Sequence, residues 1–196
     1  MTSTQSNLSQ AISAKAETSE SLLLERQTIQ QTMERLPNGT RRLAAQLRTP
    51  IKASTLWEVL TDYENLNTFI PNLSTSELIS RSENKVKLKQ VGTQKFVGVK
   101  FSAKVQIELT ENKKIGDLEF CLLKGDFRRF EGAWRIRPQI EGEGTFLLYE
   151  LTVQGCLGMP VGLIEQRLRE DLSTNLLSVE KEANKREKIF KLLDSD

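Results

Sequence analysis

The chain has 196 residues, 28 Lys and Arg against 26 Asp and Glu, a net charge of +2, 38% hydrophobic residues and no histidine. That length suits one domain with a sizeable core, and so even a charge balance excludes a protein held on nucleic acid by bulk electrostatics. The composition also excludes His-based triads and imidazole metal sites, and the lack of any apolar run near the roughly 18 to 20 residues that cross a bilayer excludes a spanning helix.

Residues 1–18 are Ser, Thr, Gln and Ala without a period, which predicts no fixed structure. Leu22, Ile29, Met33 and Leu36 then fall near helical spacing, predicting a short helix over 19–36. "LPNG" at 36–39 breaks the chain, so 1–38 reads as an arm and 39–190 as the domain. The arm holds three basic and four acidic residues and is not a basic tail. It shows neither the signature of a secretory leader nor that of a transit peptide, which points to the cytoplasm. Cys121 and Cys156 are then expected to be reduced, buried thiols.

Beyond the break, "TRRLAAQLRTPIKA" predicts a strand. A helix follows from Ser54 or Thr55, with Thr55 and Glu58 spaced as a capping box and Leu56, Val59, Leu60 and Tyr63 on its apolar face. A second short helical turn holds Phe69 and Ile70 before Pro71. From Ser74 to Gly155 the period changes to two, most clearly in "VGVKFSAKVQIEL". In "KVKLKQ", Lys85, Lys87 and Lys89 alternate with Val86 and Leu88, which puts the lysines on the outer face of an antiparallel sheet. Val161 to about Lys188 predicts a long helix burying Ile164, Leu168, Leu172, Leu176 and Val179. This element order is α+β, and one long helix closing a twisted sheet leaves a concavity that it does not fill.

"KGDFRRFEGAWRI", residues 124–136, mixes rings with cations. A tight turn near Gly125–Arg129 separates them, with Leu118, Phe120 and Leu122 on one face of the first strand. Gly132, Trp134 and Ile136 share a face of the second, opposite Arg135 and Arg137. Base stacking needs both chemistries on one exposed face, so this is not read as an RNA-binding strand. Gly132 beside Trp134 leaves room for a bend or a close approach.

"LWEVLTDYENLNTFIPNL", "KGDFRRFEGAWRI" and "LTVQGCLGMPVGLIEQRLREDLSTNLLSVEKEA" together resemble the START-like polyketide cyclase/dehydrase and lipid-transport superfamily (SRPBCC), and within it the coenzyme-Q-binding branch. The resemblance runs from about Leu43 to Ala183 and leaves the arm outside it. It implies a helix-grip fold, a curved antiparallel sheet wrapped around a long C-terminal helix with a hydrophobic tunnel between them. On that footing Phe69, Val86, Phe101, Phe120, Leu122, Trp134, Tyr149, Leu168 and Leu172 are expected to line a ligand tunnel. Asp126, Arg128, Arg129 and Glu131 are expected around a wet hairpin tip, a poor place for acid/base work. No cofactor is expected, and "ELTEN" and "EGEGT" lack the spacing of a calcium loop. The expected partner is a hydrophobic small molecule such as a lipid, isoprenoid or quinone-like compound, and transient contact with a membrane surface is compatible with that role. Two alternatives are a cyclase or dehydratase using the same tunnel and a protein-interaction module akin to ribosome-associated relatives.

Overall fold

The computed structural model describes residues 29–96, 99–139, 144–156 and 161–193. Two strands, β1 (Gln30–Arg35) and β2 (Arg41–Thr49), precede two short helices, α1 (Ala53–Leu60) and α2 (Leu66–Phe69). Six strands follow: β3 (Leu73–Ser82), β4 (Lys85–Phe96), β5 (Val99–Asn112), β6 (Asp117–Gly125), β7 (Phe127–Pro138) and β8 (Thr145–Gly155). The long helix α3 (Val161–Leu193) ends the described chain. All eight strands form one antiparallel sheet in the order β1-β2-β8-β7-β6-β5-β4-β3. The architecture is the α+β helix-grip arrangement expected from the sequence.

Alternation decides which face each strand turns inward. Leu43, Ala45 and Leu47 of β2 lie buried opposite Leu151, Tyr149 and Leu147 of β8. Val86 and Leu88 of β4 face Leu109 and Ile107 of β5, all four buried. The lysines between them point outward, with Lys85 on Glu108 at 2.7 Å and Lys89 on Glu77 at 2.8 Å. α3 lies across β2 and β8 and packs on α1. Its Leu172, Leu176, Val179 and Ala183 are buried to within 1% of completely. The first three contribute roughly 5–9 kcal/mol before entropic losses. Ile164, expected on the same face, has its side chain outside the described residues.

Four expectations need correction. The helix over 19–36 is not what the described part of that range forms: Gln30–Arg35 is an edge strand, and 19–28 lie outside the described residues. Pairing with β2, Met33 opposite Leu43, satisfies its backbone, so the arm expected to end at Asn38 contributes a strand to the domain's sheet. The Thr55–Glu58 capping box does not form, because the start of α1 is capped from α3 instead. The Lys52 amide donates to Glu187 Oε1 at 3.1 Å, and the Thr55 hydroxyl donates to the same oxygen at 3.0 Å. The cysteines are both exposed and unpaired. Cys121 alternates with Phe120, so burying the ring turns the thiol outward.

Candidate functional site

The inner face of β3–β8, the α2 segment and the first half of α3 line a half-open cavity of about 420 Å³. That is within the range of small-molecule sites. One wall is aliphatic, with Leu88 from β4 and Val105, Ile107 and Leu109 from β5. Next to it on the same sheet, with Phe120 in register beside Leu109, runs a panel of rings from β6, β7 and β8. Phe127 stacks on Phe130 at 5.4 Å, Phe130 meets Phe120 at 5.5 Å, and Trp134 lies flat on Tyr149 at 4.0 Å and 4°. Leu168 and Leu172 of α3 form the lid.

Gly132 makes the panel close up. Its register partner across β6 is Phe120, and a Cβ there would stand 2.7 Å from Phe120 Cζ and 2.0 Å from the Glu150 carbonyl oxygen. The missing side chain lets the ring lie against β7 and lets β8 approach it.

The lining residues that reach solvent, Pro71, Asn72 and Ser102, place the opening between the α2–β3 junction and the β4–β5 hairpin. Asn72 holds this rim together. Its carbonyl accepts from the Thr93 amide at 2.7 Å, and its side-chain amide donates to Asp171 Oδ1 on α3 at 3.1 Å. Its φ of 63° is in the left-handed region, which Asn tolerates better than most residues. Arg167 and Asp171 add a cation and an anion to the lining, and Arg167 pairs with Glu170 at 2.7 Å.

Two tyrosines line the cavity. The Tyr63 hydroxyl donates to Glu111 Oε1 at 2.5 Å, and Arg81 holds both oxygens of that carboxylate at 2.7 Å. Burial, then the hydrogen bond to Glu111, pushes the Tyr63 phenol well up, with Arg81 opposing. Burial, then the negative charge of Asp171, does the same to Tyr149. Both phenols are hydrogen-bond donors at neutral pH.

Of the nine residues expected to line the tunnel, Phe120, Trp134, Tyr149, Leu168 and Leu172 are on its wall. Phe69 and Leu122 are half-buried against the core but not on the wall, and Val86 is sealed in the core at 0% exposure. The side chain of Phe101 lies outside the described residues. The sequence reading missed Tyr63, Phe127 and Phe130. Phe127 and Phe130 are three apart, which strict alternation would split between faces. A bulge between Phe127 and Arg129 returns both to the inside.

The hairpin-tip charges stay outside the cavity. Arg129 pairs with Glu131, and Asp126 Oδ2 accepts from the Lys104 amide at 2.7 Å. Among the described residues no His, Cys, Asp and Glu cluster has metal-binding geometry, and no helix is long and apolar enough to cross a membrane.

A family model described as polyketide cyclase/dehydrase and lipid transport matches residues 49–180. A search of curated proteins found no match. Among solved structures, the chain is similar to a STAR-related lipid transfer protein from Xanthomonas axonopodis, with 15% identity over 80% of this chain and 93% of the other and a TM-score of 0.67. It is also similar to the Zhui aromatase/cyclase from Streptomyces sp. R1128, with 15% identity, 75% and 95% coverage and a TM-score of 0.65. A Thermus thermophilus protein matches with 22% identity, 74% and 95% coverage and a TM-score of 0.60. At these identities the likeness is one of fold.

Proposed function

This chain belongs to the polyketide cyclase/dehydrase and lipid transport family, and from that premise we propose that it binds or carries one apolar small molecule, a lipid, isoprenoid or quinone-like compound, in the cavity between sheet and helix. The observation that carries the reading is the half-open cavity itself, about 420 Å³ lined by aliphatic side chains and, beside them on the sheet, rings. Moving an apolar guest from water into that space is favourable in proportion to the apolar area it hides. The polar groups at the opening, Asn72, Arg167 and Asp171, leave a wet rim around a dry interior.

Carriage is favoured over catalysis by the state of the cavity's phenols. Tyr63 and Tyr149 are both pushed up, away from the neutral range in which a general base works. The chain also has no histidine to take that part. A protein-interaction role would leave the cavity without a use. The coenzyme-Q-binding branch is a finer placement, and it would require a quinone as the natural guest.

Native mass spectrometry of the purified full chain, followed by organic extraction, tests the proposal. The expected result is a bound apolar molecule released into the organic phase. A protein that arrives empty and takes up no apolar probe in solution would contradict it. Turnover of a polyketide substrate by the empty protein would instead support the cyclase alternative.

A further inference from the structure

We infer that Tyr149 selects the guest's polar end, its hydroxyl donating to a neutral oxygen acceptor, a carbonyl or ether, on an otherwise apolar and unsaturated molecule. The inference rests on the carriage reading and names the ligand class that the cavity takes.

The contrast between the two cavity tyrosines motivates it. The Tyr63 hydroxyl is committed to Glu111. Tyr149 is 8% exposed and lines the cavity, and among the described residues its hydroxyl has no hydrogen-bond partner. Among the described residues the Tyr149 hydroxyl is not a sealed, unsatisfied atom, so it opens into the cavity and is left for water or for the acceptor of a guest. The donor is also held in place. Trp134 lies flat on the Tyr149 ring at 4.0 Å, which restricts the phenol before any guest arrives.

Two further observations narrow the class. Phe120 stands 6.4 Å from Tyr149 and leads on to Phe130 and Phe127, so the wall around the donor offers π faces that favour a flat, unsaturated body over a saturated chain. The acceptor is neutral because Asp171 already sets a negative charge near Tyr149, and a ligand carboxylate would be repelled by it. Arg167, the cation on the same helix face, is paired with Glu170 at 2.7 Å.

A matched pair of probes tests this: 2-acetylnaphthalene, and 2-isopropenylnaphthalene, which has nearly the same shape with a methylene in place of the carbonyl oxygen. Each is titrated calorimetrically into the full chain and into Tyr149→Phe. The wild-type protein is expected to prefer the ketone by about tenfold. In Tyr149→Phe the preference is expected to vanish or reverse, because the ketone loses its donor and the hydrocarbon no longer covers an unpaired hydroxyl. Equal wild-type affinities, or a preference that survives in Tyr149→Phe, would overturn the assignment while leaving carriage standing. If Tyr149→Phe does not fold, the wild-type ratio alone decides. Binding of neither probe would overturn the carriage reading, and the Tyr149 assignment with it.

Discussion

Gly132→Ala gives the sharpest test of how tightly the cavity's back wall is built. At an unstrained extended position, Gly→Ala stabilises by about 0.4–1 kcal/mol, because the unfolded chain loses freedom. Here the added Cβ would stand 2.0 Å from the Glu150 carbonyl oxygen, 3.0 Å from its carbon and 2.7 Å from Phe120 Cζ. The Phe120 ring can turn aside, but only into the cavity. The carbonyl belongs to β8, which is laddered to β7 on one side and β2 on the other. Relieving the contact therefore means moving a central strand. Overpacking costs about 1–3 kcal/mol, and a backbone obstacle puts this site at the upper end, so a net loss of about 2–3 kcal/mol follows. For a domain of this size that lowers the melting temperature by roughly 4–12 °C. A thermal melt followed by circular dichroism reads the shift directly. An unchanged or raised melting temperature would show that β7 and β8 have slack at Gly132, and the account of the ring panel would fail.

Asn72→Gly keeps the left-handed backbone but removes the amide that bridges the rim to Asp171, so a bound probe should leave about two- to tenfold faster in stopped-flow dilution. Asn72→Ala should lose about a further 1–2 kcal/mol of stability from its φ of 63°, which equal melting temperatures for the two variants would refute. Glu187→Ala removes the acceptor shared by the Lys52 amide and the Thr55 hydroxyl and should cost about 1–2 kcal/mol, visible as a lower urea midpoint. Hydrogen bonds from Arg35 and Arg41 hold the Glu165 carboxyl below the usual carboxylate range. Its stabilising contribution is thus complete above the ordinary glutamate value and lost as the pH falls through the lowered one. Wild type and Glu165→Gln should accordingly differ in melting temperature at neutral pH and converge in acid, and a constant gap would count against the ion pairs.

Much of the fold could be read from periodicity, because burial acts on it directly. The alternation in Ala103–Leu109 and the three- and four-residue steps of Leu168, Leu172, Leu176 and Val179 each have one buried face to satisfy. The parting of rings from arginines around Trp134 followed from the same rule, and Arg135 does turn outward to Asp117 at 2.7 Å and Glu150 at 3.0 Å. What escaped depends on contacts between distant parts of the chain. β1 carries one half-buried apolar side chain, Met33, and is tied down instead by Gln31, which donates to the Arg169 carbonyl at 2.7 Å and to Ser173 Oγ at 2.8 Å. The cap of α1 arrives from α3 and leaves no local signature. Val86 and Leu88 share a strand, a face and complete burial, yet only Leu88 touches the cavity, a difference that periodicity does not carry.

The central claim is that sheet and helix leave apolar room for a guest. Calorimetric titration of 2-isopropenylnaphthalene at several temperatures, into the wild-type chain and into Ala103→Trp, measures it most directly. Ala103 is on the cavity wall, so an indole there occupies the guest's space. The account predicts saturable binding at a single site with a negative heat-capacity change, abolished in a folded Ala103→Trp variant. No saturable binding to the wild type, or binding that the added indole leaves untouched, would contradict it.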